Sequence, residues 1–297
     1  MRALAELIMR GRMQATLVVV GSAALPLLFW LSAAAGSLVL LRRGLNDALG
    51  IVVWAVLPAL AWWYFGDPRT LLVLLGTLGL AALLRASESW TRVLLCSVAL
   101  GLVYGLVLGS AFRDPIDAVA AELQKLMPQM LGGLHQQLPV EEQARLDALL
   151  APVLTGLLAA LLQVVSLLCL MLGRYWQAAL YNPGGFGREF RALRLPPSLA
   201  MLLLAGMLLA PNLGIQAAML TPLCSVPLAF AGLALIHGLV AEGKLGKFWL
   251  VGLYVTLLLF MQLIYPLLVV FAVVDSLIDF RGRLARKNGA GPANGEG

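Results

Sequence analysis

The sequence predicts an all-α integral membrane protein, a bundle of about eight apolar segments. Of its 297 residues, 61% are hydrophobic and 12% charged. The charges gather in gaps between apolar runs. Most runs suit a helix of about 20 residues crossing a hydrocarbon layer roughly 30 Å thick. Alternating polar and apolar strand segments are missing, which removes a membrane β-barrel.

The apolar segments cover residues 13–41, 48–65, 70–84, 93–112, 149–173, 198–210, 213–240 and 248–274. Segment 13–41 is too long for one upright helix and contains Pro26, while 248–274 contains Tyr265-Pro266. Each reads as one tilted, kinked helix or as two short helices meeting at the proline, double or re-entrant. The opening could pass for a secretory signal, with Arg2, Arg10 and Arg12 before the apolar run and Ala33-Ala34-Ala35-Gly36 near its end. Pro26 and the return of hydrophobicity through Leu41 favour an uncleaved segment.

Loop charge orients these segments. Arg2, Arg10 and Arg12 at one end, and Arg281, Arg283, Arg286 and Lys287 at the other, place both termini in the cytoplasm. Arg188, Arg191 and Arg194 mark an inner basic loop, 174–196. The stretch 113–148 is acidic and suits the outside. Counting back from it puts Arg42-Arg43 on the same side as the N-terminus, which requires segment 13–41 to cross twice or re-enter. Lys244 and Lys247 likewise fall inside, so segment 248–274 needs a return pass. The net charge of +6 fits cytoplasmic loops held against anionic lipid, not nucleic acid.

The spans thus occupy residues 1–280, followed by a disordered basic cytoplasmic tail, 281–297. Within the outer loop, Asp114-Pro115 starts an amphipathic helix carrying Ile116, Val119, Ala120, Leu123 and Met127, with its end expected at Pro128 and Gly132-Gly133. A second helix, 140–150, leads into the next span. In the inner loop, a turn at Asn182-Pro183-Gly184-Gly185 precedes Phe186, Phe190 and Leu193, with Arg188, Arg191 and Arg194 on the adjoining face. That is a basic amphipathic helix for lipid headgroups or a partner.

Candidate functional residues are few. Ser97, Gly101, Gly105 and Gly109 recur every four residues on one helix face, where missing side chains admit a second backbone: a packing seam, a dimer interface or a moving contact. Polar side chains inside spans are costly and are functional candidates, so Gln163, Gln216, His237 and Gln262 are the substrate-binding candidates. His237 reads either as satisfied by a carbonyl or water, or as a binding or proton-handling group. Asp275 and Asp279 share a helix face just before Arg281 and Arg283. They form an ion-pair anchor or, less simply, a coupling carboxylate. Cys96, Cys169 and Cys224 read as small buried hydrophobes without metal-ligand spacing. No HExxH, P-loop, GxSxG or paired-carboxylate cavity occurs, and His135 stands apart from any nucleophile. Neither catalysis, a cofactor nor a metal is expected.

Two stretches, Leu38-Val39-Leu40-Leu41-Arg42-Arg43-Gly44 and Asp275-Ser276-Leu277-Ile278-Asp279-Phe280-Arg281, resemble the YybS-like family of bacterial membrane proteins. The run from Tyr181 through Asn182-Pro183-Gly184-Gly185-Phe186-Gly187 to Arg191 resembles its proteobacterial branch. That family is distantly similar to the substrate-binding S-components of energy-coupling-factor transporters, whose short second helix ends in a glycine turn as residues 31–44 do here. The resemblance implies a transporter-like protein of the bacterial inner membrane, with a cavity for a small molecule and a partner subunit. The alternative is a membrane scaffold or assembly factor acting through its loops and packing seam. A mid-membrane cavity reached by Gln163, Gln216 or Gln262 would favour transport; a filled interior would favour the scaffold.

Overall fold

A computed structural model describes residues 2–130, 139–243, 246 and 248–279. His135, Gly132, Gly133, Lys244, Lys247, Arg281, Arg283, Arg286, Lys287 and the rest of the tail lie outside the described residues. Among the described residues there is no strand, and the helices are α1 (Arg2–Arg10), α2 (Arg12–Ala24), α3 (Phe29–Arg43), α4 (Leu45–Tyr64), α5 (Arg69–Ser87), α6 (Trp90–Ala111), α7 (Arg113–Met130), α8 (Val140–Tyr181), α9 (Gly185–Ala192), α10 (Pro197–Leu209), α11 (Leu220–Ala241), α12 (Phe248–Leu259) and α13 (Met261–Ile278). Two 3-10 turns, Ala210–Asn212 and Ile215–Met219, join α10 to α11. Six helices among these are long and apolar enough to cross a bilayer: α4, α5, α6, α8, the 216–241 stretch and α13. A seventh follows if the pair α9 and α10, bent by 70°, is one broken span. The chain is a polytopic membrane protein.

The chain forms two compact units, residues 1–187 with 206–226, and 188–205 with 227–297. In the first, segment 13–41 breaks at residues 25–28, as Pro26 requires, and folds back as a hairpin. The Ser32 hydroxyl donates to the Val19 carbonyl at 2.8 Å, and Arg43 donates to the Met9 carbonyl at 2.8 Å. Both ends of the hairpin therefore lie at one end of the unit, the arrangement the loop charges required.

Helix α3 is the centre of that unit. Every residue from Ser32 to Leu41 is buried, and α2, α4, α5 and α8 pack around it. At 15 residues it is only about 22 Å long. Its end falls among protein, where unpaired carbonyls cost several kcal/mol in the absence of water. They are paired: Arg85 Nη1 donates to the Leu40 and Leu41 carbonyls, each at 2.9 Å, and Gln177 Nε2 to Leu41 at 3.1 Å. Gly44, at φ 103°, then turns the chain into α4, a conformation that disfavours a side chain.

Helix α8 runs unbroken for 42 residues, about 63 Å, and so is longer than a bilayer is thick. It absorbs the expected outer helix 140–150. It also takes in the first third of the expected inner loop 174–196, because nothing in 174–181 breaks a helix. Helix α7 continues through Pro128 to Met130 instead of stopping there. It pairs with the extension of α8, burying Ile116 and Ala120, and Gln124 Nε2 donates to the Asp147 carbonyl at 3.2 Å.

In the second unit, segment 248–274 does break, but at Phe260 and not at the proline. Pro266 sits inside α13, six positions into it, where it removes the bond to the Gln262 carbonyl without ending the helix. Helix α11 approaches α13 most closely at Gly232, where any Cβ would run into the Leu268 carbonyl. Arg194 closes the end of α13: it donates to the Asp275 and Ser276 carbonyls at 3.2 and 2.9 Å and pairs with Asp279 at 3.1 Å. The Ser276 hydroxyl adds a bond to the Leu195 carbonyl at 2.7 Å. Arg194 is thus tied to the protein, with part of its side chain still exposed. Asp279 finds a cation in Arg194, on the segment before α10; Arg281 and Arg283 lie outside the described residues.

Candidate functional site

The glycine face of α6 carries the first candidate site. Its neighbours are side chains, not a second backbone as the spacing suggested. A Cβ at Gly101 would meet Leu223 Cδ2 at 2.6 Å and Gln163 Oε1 at 2.9 Å; one at Gly105 would meet Met219 Sδ at 3.1 Å. Ser97 is buried, and its hydroxyl accepts from Gln163 Nε2 at 2.9 Å. True backbone contact in this unit occurs at two glycines the repeat did not mark. At Gly156 a Cβ would lie 2.7 Å from Met219 Cα, and at Gly173 it would lie 2.9 Å from the Ala34 carbonyl oxygen. Neither belongs to a glycine repeat; the nearest signal is the small pair Gly156 and Ala160, four residues apart.

The four polar candidates divide between the units, Gln163 and Gln216 in the first and His237 and Gln262 in the second. Gln163 has no exposed surface, so no water-sized space touches it; it ties α8 to α6 in a filled interior. Its Oε1 has no hydrogen-bond partner among the described residues. Gln262 is exposed near the start of α13. His237 is half-buried on α11, and its Nε2 lies 2.8 Å from the Tyr254 hydroxyl of α12. Cys169 and Cys224 are buried, but Cys96 is exposed on the outer face of α6. No group of three or more His, Cys, Asp or Glu among the described residues is spaced for a metal.

Gln216 alone of the four borders a described cavity. Where Gly109 faces Thr155, the end of α6, the start of α7, α8 and the second 3-10 turn leave about 290 Å³ between them. The polar lining is Ser110, Arg113, Asp117, Thr155 and Gln216, and Leu106, Ile116, Pro152 and Met219 supply apolar walls. Arg113 and Asp117 pair at 3.1 Å at the exposed rim. The Thr155 hydroxyl donates to the Ala151 carbonyl at 2.8 Å and keeps its lone pairs for a donor. The small residues of the α6 repeat make this space: a Cβ at Gly109 would find only Thr155 Cγ2, at 3.8 Å. A cation, a carboxylate, an amide and a hydroxyl around an apolar floor can orient a small polar molecule. The volume is near the lower limit of small-molecule sites.

Compared with protein-family models, curated proteins and solved structures, the chain matches none.

Proposed function

We propose that this chain binds a small polar molecule in the cavity beside Gly109, as the substrate-binding subunit of a transporter would. The cavity carries the reading, because it is the place where charged, amide and hydroxyl groups meet over an apolar wall. The resemblance to YybS-like proteins and S-components supports it, and so does the short buried α3 ending at Gly44. Loop charge and the resemblance together put the protein in a bacterial inner membrane with both termini cytoplasmic and the cavity on the periplasmic side.

The test is to extract the protein in mild detergent and identify retained small molecules by mass spectrometry. Gly109→Leu should empty the site, because its Cβ meets no clash and its outer carbons enter the cavity. The melting temperature should hold. Equal retention by the wild type and this variant would remove the cavity from the reading.

Two observations favour the scaffold alternative, and the first is the filled interior around Gln163. The second is that helices α7 and α8 extend past the bilayer as a pair and expose Val119, Leu126, Val140 and Leu146. A partner protein lost on replacing those four by Ser, with no small molecule retained by the wild type, would move the assignment there.

A further inference from the structure

We infer that Phe190, Arg191, His237 and Tyr254 form a site for the phosphate headgroup of an anionic phospholipid. All four belong to the second compact unit. The His237 Nε2 and Tyr254 hydroxyl share a hydrogen bond of 2.8 Å, and the Phe190 ring stands edge-on to the imidazole with centroids 5.3 Å apart. Arg191 follows Phe190 on α9, next to the ring that packs on the imidazole. Arg188, one turn earlier on the same face, is exposed.

Depth decides what such a cluster meets. His237 lies four residues before the end of α11, about 6 Å along the helix, and Tyr254 six residues after the start of α12, about 9 Å. Residues that near the ends of apolar helices are within reach of a headgroup layer. No residue of α12 is buried: Phe248, Trp249, Val251, Val255 and Leu258 are all exposed. Aromatic rings at the helix start and aliphatic ones beyond are what an acyl chain and its glycerol require. A phosphodiester offers acceptors; the guanidinium supplies donors, and the phenol and imidazole, with one proton spent on their mutual bond, supply one more. A soluble phosphate has the same chemistry but no use for the apolar flank of α12, so the lipid is the occupant.

The full-length protein in detergent tests this by its melting temperature with added phosphatidylglycerol, phosphatidylcholine or inorganic phosphate. Phosphatidylglycerol should raise it and the other two should not. In Arg191→Gln the apparent affinity for phosphatidylglycerol should fall about fivefold, the weight of one cation at an anionic surface. Arg2→Gln, remote on α1, should leave it unchanged. Tyr254→Phe removes only the hydroxyl and serves if the arginine variant folds poorly; native mass spectrometry should then show less retained lipid. The inference is overturned by equal responses in wild type and Tyr254→Phe, by phosphatidylcholine matching phosphatidylglycerol, or by inorganic phosphate reproducing the shift.

Discussion

Alanine at Gly173 should destabilise the protein more than its single added carbon implies. Its Cβ would run into Ser37 Oγ, lie 2.9 Å from the Ala34 carbonyl oxygen and 3.1 Å from the Leu38 nitrogen. Serine can rotate away at the cost of its bond to Ala34, now 2.8 Å. The two backbone atoms cannot move, because they belong to α3, buried from Ser32 to Leu41 and held at its end by Arg85 and Gln177. Overpacking of this kind costs about 1–3 kcal/mol. For a protein of this size that is a fall of about 2–12 °C in melting temperature. Gly79→Ala on α5 is the control, since its Cβ would meet nothing within 4 Å. Alanine in a helix gains up to about 1 kcal/mol over glycine, so this variant should melt slightly higher. Thermal unfolding of both in one detergent by intrinsic fluorescence decides the matter. If Gly173→Ala melts with or above Gly79→Ala, α3 and α8 do not touch backbone to backbone and the central place of α3 is wrong.

Arg85→Met should cost about 1–3 kcal/mol by removing charged hydrogen bonds from the Leu40 and Leu41 carbonyls, which keep only the Gly44 N–H and Gln177 Nε2, read as a lower melting temperature that Arg85→Lys recovers in part. Reporter fusions after Arg12 and after Arg43 should report the same side of the membrane, because those residues flank the hairpin of α2 and α3; opposite signals would mean a single crossing. Arg69 holds the Asp67 carboxyl below its ordinary value, chiefly by their side-chain hydrogen bond. A lowered carboxyl adds stability above its unfolded pKa and loses it as pH falls through the folded one, here below about pH 4. Between pH 7 and pH 3 the wild type should lose slightly more melting temperature than Asp67→Asn, by at most about 1 kcal/mol for an exposed pair; an identical acid response would show that the pair adds nothing.

The glycine repeat of α6 shows how far sequence reasoning reached into the site. Four-residue spacing located a face that packs, since residues four apart share a side of any helix. It could not say that Leu223, Gln163 and Met219 fill that face near Gly101 and Gly105 while Gly109 opens into a cavity. What lies opposite a helix face depends on residues far along the chain. Arg194 shows the same limit: its charge was legible as an orientation signal, but its bonds to Asp275 and Ser276 cross 81 and 82 residues.

The sequence by itself determined the solvent, the helical class, most of the spans and an irregularity, kink or break, at Pro26. Each follows from local hydrophobicity and backbone chemistry, which act over a few residues. Only the tertiary structure decided that α3 is buried on every side, that the last break falls at Phe260, and that Gln163 binds Ser97 instead of facing a cavity. Lipid is as apolar as a protein interior, so an apolar residue reads the same whether it faces a neighbour or the bilayer. Close packing and hydrogen bonds between distant segments separate the two, and neither has a period that a single sequence displays.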